Sequence, residues 1–172
     1  MNLYEALRGK EIPEEIRRDL TLLYINYYSF DKLRYYGKII VHRELADEVR
    51  DIFGDILKAR FPIEKMRLVS EYDWSDDASM ADNNSSAFNY RLAVGKSKLS
   101  QHAYGRAIDI NPLQNPYIKG DLVLPPGAVY DPKARGTLTE DGTVVAAFES
   151  RGWIWGGRWT HLKDWHHFEK PQ

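Results

Sequence analysis

Two of the five histidines stand near carboxylates in settings suited to metal chemistry. The first setting is Ser100-Gln-His102-Ala-Tyr-Gly105-Arg-Ala107-Ile-Asp109, and the second is Asp164-Trp-His166-His167-Phe-Glu169. A catalytic zinc takes three protein ligands and keeps one position for water, and neutral imidazole with carboxylate serves it well. His102 and Asp109 offer two such ligands from a loop and the strand after it, with Gly105 permitting a tight turn between them. His167 would be the third. Zinc lowers the pKa of bound water to about 7, and a nearby carboxylate can take the proton as the water attacks a carbonyl polarised by the metal. Asp164 is placed to be that carboxylate. Spacing alone is weak support, because chance puts an acid close to a histidine in many chains, and His102 taken alone reads as a hydrogen-bonded or surface histidine.

The composition narrows the alternatives. The chain has 172 residues, 43% of them hydrophobic, which suits one domain with one sizeable core. Its 24 basic and 25 acidic residues nearly cancel, so no global field draws it to nucleic acid and no charged block marks an interaction tail. With no cysteine, disulfides, thiolate ligands, iron–sulfur clusters and cysteine nucleophiles are all excluded. A metal here must use nitrogen and oxygen. The opening MNLYEALRGKEIPEE lacks the apolar core of a secretory signal and no later stretch has the length to span a bilayer, so a soluble chain is expected. Nothing demands a dimer, and a monomer is expected.

The elements that must position these residues mix strands and helices without a βαβ rhythm, which predicts an α+β fold. Residues 22–41, aromatic and β-branched, predict two short strands, with a break at Ser29–Lys32 and a turn at Gly37. From Glu44 to Arg60 the apolar residues Leu45, Val49, Ile52, Phe53, Ile56 and Leu57 recur at helical spacing, and Pro62 ends the run. This predicts a core-packing helix. Residues 66–73 predict a strand leading into SDDASMADNNSSAFNYR, a polar stretch expected to be a long functional loop. Asp76, Asp77 and Asp82 within it read as turn formers. Residues 105–112 predict a buried strand stopped by Pro112, 113–143 loops and turns, 144–152 a helix closed by Gly152, and WHHFEK a final strand. Trp153, Trp155, Trp159 and Trp165 crowd the last quarter, at least two of them expected in the core and one on a cleft wall. His42 and His161 read as ordinary polar positions.

The string SxHxxGxAxD, followed far downstream by an acid, two residues and a histidine, resembles the zinc D-alanyl-D-alanine carboxypeptidase family. That family includes VanX and VanY type enzymes and phage L-alanyl-D-glutamate peptidases, and the hedgehog signalling domain shares its fold. FPIEKM, SMADNNSSAFNYR, LSQHAYGRAIDINPLQNPY and WIWGGRW with DWHHFE carry the resemblance, over roughly residues 22–170. It implies a small antiparallel sheet with flanking helices in one zinc peptidase catalytic domain, residues 1–172. It further implies Zn2+ held by His102, Asp109 and His167, with Asp164 as general base and then acid to the leaving amine. Arg91 matches the arginine that such enzymes aim at the scissile carbonyl or a substrate carboxylate, the alternative being a structural salt bridge. Ser100 matches a substrate-contacting serine, or is a turn residue. His166 is the alternative ligand to His167, although on a strand it would point to the opposite face. Glu169 is a candidate hydrogen-bond partner for a ligand histidine.

The implied substrate is the peptidoglycan stem peptide of a bacterial cell wall. Such a substrate implies a place in the envelope or release toward it, or work on recycled fragments inside. Carboxypeptidase and dipeptidase members carry Glu as the base, whereas this chain has Asp164, as the phage endopeptidases do. That tilts the expectation toward the L-alanyl-D-glutamate bond over a terminal D-alanine. The competing function is a zinc-containing binding domain of the same fold without turnover, which would have no need of Asp164 and Arg91 together.

Overall fold

The structure, a computed structural model, describes residues 1–171. Two short helices, α1 (Leu3–Ala6) and α2 (Glu14–Arg17), lead into a long hairpin of β1 (Leu20–Tyr28) and β2 (Arg34–His42). Helix α3 (Ala46–Lys58) follows, then β3 (Lys65–Met66), α4 (Asp76–Ala81), β4 (Asn84–Ser85) and β5 (Ala107–Asp109). The chain ends through β6 (Tyr117–Lys119), β7 (Leu122–Leu124), α5 (Thr143–Glu149), β8 (Ile154–Trp155), β9 (Lys163–Asp164) and β10 (His167–Glu169). The fold is α+β, as the order of elements predicted, with small antiparallel sheets of order β1-β2, β5-β10-β8 and β7-β6-β9, and one parallel pair, β3-β4. Among the described residues no helix is long and apolar enough to cross a membrane.

The hairpin buries both faces near its base. Leu23, Ile25, Ile39 and Val41 enter the main core, while Leu20 and Ile40 join Ala6, Leu7, Leu68 and Phe88 in a second cluster. Val49, Ile52, Phe53 and Ile56 of α3 fill the main core against β1 and α5. Gly54 inside this helix costs about 1 kcal/mol of propensity. Four buried apolar side chains at about 1.5–3 kcal/mol each outweigh it, so packing decides the helix.

Four predicted elements differ. Gly37 makes no turn: it pairs with Ile25 inside β2, where an added Cβ would lie 2.4 Å from that of Met66. The reversal is at Phe30–Leu33, with Lys32 at φ 67. Residues 66–73 form a strand only at Met66, because the Glu71 carboxylate accepts from the Leu68 N–H at 3.3 Å and from Arg67 at 3.0 Å, coiling 69–72 into a 3-10 turn. The polar stretch from Ser75 is not a bare loop. Ser75 Oγ accepts from the Ala78 N–H at 3.1 Å to start α4. The fully buried Asn84 accepts from the Arg67 N–H at 2.8 Å and donates to the Arg67 carbonyl at 3.0 Å and Ser79 Oγ at 2.9 Å. Residues 113–143, read as loops and turns, also contain the β6–β7 hairpin. The helix at α5 and the left-handed Gly152, φ +78, agree with expectation.

Candidate metal centre and cleft

Alternation in a strand pair assembles the centre. In β5, Ile108 enters the core and Asp109 faces the other side; β10 pairs so that His167 lies opposite Asp109 and Phe168 opposite Ile108. Phe168 stacks on Phe148 with ring centroids 4.0 Å apart, so packing on one face holds the polar pair on the other. His102 arrives on a 3-10 turn, residues 101–104, capped by Ser100 Oγ, which accepts from the His102 N–H at 3.3 Å. Gly105 then reverses the chain at φ +67, where a Cβ would lie 2.5 Å from the His42 nitrogen. The tight turn read from the sequence therefore also needs glycine for a close backbone approach.

His102, Asp109 and His167 are all buried, and one donor atom from each lies within 4.8 Å of the others, so the group could hold a metal ion. His102 Nε2 is 3.1 Å from Asp109 Oδ2 and 3.2 Å from His167 Nδ1, which is 3.0 Å from Asp109 Oδ1. The outer nitrogens set the tautomers. His102 Nδ1 meets the Ala87 carbonyl, which only accepts, and His167 Nε2 is 3.0 Å from Glu169 Oε2. With protons on those outer nitrogens, two imidazole lone pairs and a carboxylate converge on one point. Such an arrangement is repulsive without a proton or a cation at its centre. Ligands about 2.0–2.2 Å from a tetrahedral ion stand about 3.3–3.6 Å apart, close to the spacings here, so the donors fit a metal of zinc type.

The electrostatics point the same way. Burial opposes charge on His167, but Asp109 and Glu169 outweigh it and push its pKa up to about 10 in the metal-free protein. Burial also opposes charge on Asp109, yet the surrounding histidines hold its carboxyl well below the usual range. The hydrogen bond from His167 lowers Glu169.

Asp164, on β9 opposite Tyr117, lines a cleft of about 640 Å³ over this group, together with Arg91, Ser100 and Trp159. Its buried Oδ1 has no aligned hydrogen bond, although His166 Nε2 is 3.0 Å away. Arg91 both lines the cleft and is tied to Asp76 at 2.9 Å, so the salt bridge and the cleft position coexist. Asp76 is accordingly more than a turn former. Ser100 is a turn cap that also faces the cleft. Trp153 and Trp155 are buried in the core, while the Trp159 ring lies 5.5 Å from that of His167 and walls the cleft.

His166 does not turn to an opposite face. It precedes β10, and its ring is buried toward Asp164 in the same cleft, pinned by the Asn115 carbonyl 2.7 Å from Nδ1. Burial opposes its charge, but Asp164 and Asp109 push its pKa up to about 9. Asn115, Ala87 and Gly156, which touch the site residues, had no role legible in the sequence: Ala87 and Asn115 act through backbone carbonyls, to which residue type is nearly blind, and Gly156 through a missing side chain.

Residues 93–170 match the family model for D-alanyl-D-alanine carboxypeptidase. This bears out the resemblance drawn from the motifs. The match takes in His102, Asp109, Asp164 and His167, and ends short of Arg91. The matched stretch contains the whole candidate metal centre. No curated protein and no solved structure gave a significant match to the chain.

Proposed function

We propose that this protein is a zinc-dependent peptidase, one catalytic domain over residues 1–172, that hydrolyses the stem peptides of peptidoglycan. The supporting observation is the convergence of two imidazole nitrogens and the Asp109 carboxylate in a cleft, with a buried, unaligned carboxylate oxygen of Asp164 beside them. His102, Asp109 and His167 would hold the ion. When bound, zinc supplies Lewis acidity to the scissile carbonyl and lowers the pKa of water to about 7.

Asp164 takes the proton of the water that adds to the carbonyl and returns it to the amine as the C–N bond breaks. Arg91, its guanidinium oriented by Asp76, holds the carbonyl oxygen or a substrate carboxylate. Ser100 contacts the substrate chain at the cleft wall, and Trp159 screens the reacting bond from water. Glu169 holds the His167 tautomer that leaves Nδ1 free. Asp164 in place of a glutamate favours the L-alanyl-D-glutamate bond over the terminal D-alanine. Mass spectrometry of stem peptides after digestion tests the proposal: two defined fragments are expected, and intact peptides would instead support a zinc-binding module without turnover.

Metal uptake should be proton-linked. His167, pushed up to about 10, is protonated at pH 7 in the metal-free protein, and zinc must displace that proton. Asp109, held low, stays ionised and releases none in this range. Apparent zinc affinity is therefore expected to rise about tenfold per pH unit from pH 7 to 9, read by competition with a chromophoric chelator. A flat dependence would show that the metal displaces no proton from His167.

A further inference from the structure

We infer that His166 is a positioning residue that holds the Asp164 carboxylate in its working pose, an inference that rests on the peptidase reading above. The ring is 4% exposed and cannot shift freely. Its Nδ1 is 2.7 Å from the Asn115 carbonyl, and because a carbonyl only accepts, Nδ1 donates. Asn115 is itself immobilised: fully buried, it donates to the carbonyls of Ile110, Asn111 and Gly136 and accepts from the Leu138 N–H at 2.7 Å. With one end of the ring pinned, the other lies 3.0 Å from Asp164 Oδ1, within ion-pair reach although the two are not aligned as a hydrogen bond.

The Asp164 backbone and Cβ pack closely on Gly156. A Cβ on Gly156 would lie 2.5 Å from the Asp164 carbonyl oxygen and 2.8 Å from the Asp164 Cβ, so this glycine lets the chain pack flush against the aspartate. Pairing with Tyr117 fixes the backbone. The strand and Gly156 thus fix the Asp164 backbone and Cβ, and the His166 imidazole stands beside Oδ1 of the carboxylate. His166 Nε2 is 4.0 Å from Asp109 Oδ2, so its nearer carboxylate is that of Asp164. A histidine serving only to satisfy the Asn115 carbonyl would need no second contact.

Two amide substitutions separate these roles in the full zinc-loaded chain, because Asn reproduces the Nδ1 end of histidine and Gln the Nε2 end. His166→Asn keeps the bond to Asn115 and loses the contact to Asp164; His166→Gln does the reverse. Both variants are expected to bind zinc as the parent does. His166→Asn should lose about 10–100-fold in kcat at unchanged KM, and His166→Gln should recover most of that loss. Crystal structures should show Asp164 rotated away in His166→Asn and in place in His166→Gln. Parental kcat in His166→Asn, equal losses in both variants, loss of zinc from His166→Asn, or an unmoved Asp164 would each overturn the inference. If the parent cleaves no stem peptide, the peptidase proposal fails, while the Asp164 position in the two crystals still decides the role of His166.

Discussion

Purified His102→Ala protein is expected to hold far less than one zinc per chain and to hydrolyse no stem peptide. The substitution removes one of three donors and leaves the other two unable to complete a site. It also strands the Ala87 carbonyl that His102 Nδ1 meets, and takes from the buried Asp109 a partner 3.1 Å away. Metal polarisation of a carbonyl is worth several kcal/mol, so the rate should fall by at least about a thousandfold at 1.36 kcal/mol per tenfold. Elemental analysis with circular dichroism checks the metal against the fold. His161→Ala, also at the cleft but outside the donor group, is expected to keep its zinc. Full metal occupancy in His102→Ala would mean that the ligands lie elsewhere.

Asp164→Ala is expected to separate metal binding from turnover. Asp164 is outside the converging donor group, and β9 pairs through backbone atoms that the substitution leaves in place. Zinc should therefore remain at about one per chain. Loss of the proton acceptor should lower kcat by about 10²–10⁴-fold, the usual worth of general acid–base catalysis. KM should change far less, since the carboxylate acts on the water and the leaving amine. Undiminished turnover would remove Asp164 from the mechanism and pass the role of base to another carboxylate of the cleft, with Glu169 the nearest in sequence.

The two experiments probe a site whose parts were unequally visible in the sequence. Absence of cysteine confined any metal to nitrogen and oxygen donors, and the His102, Asp109 and His167 strings named a donor set that the fold gathers. The helix at 46–58 was legible because four buried side chains repeat at helical spacing. The strand predicted at 66–73 failed because Glu71 folds back on Leu68 and Arg67, a competition that β-propensity does not register. The polar run after Ser75 reads as a loop because composition cannot tell a solvated asparagine from one such as Asn84, buried and bonded on both sides.

Residue types and spacing thus determined the chemistry open to this chain: which atoms can bind a hard or borderline cation, where a glycine must reverse the backbone, and which acid stands near the histidines. Tertiary structure alone decided which histidine ring lies where. His166 and His167 are neighbours with identical side chains, and only the pairing of His167 with Asp109, against the anchoring of His166 on Asn115, sends one ring to the donor group and the other to Asp164. The same holds for Arg91, whose tie to Asp76 and place in the cleft arise from a short helix and a loop brought together in space. The physical reason is that a ligand set is a matter of ångströms between elements far apart in sequence, and those distances are set by core packing on the opposite faces of the strands.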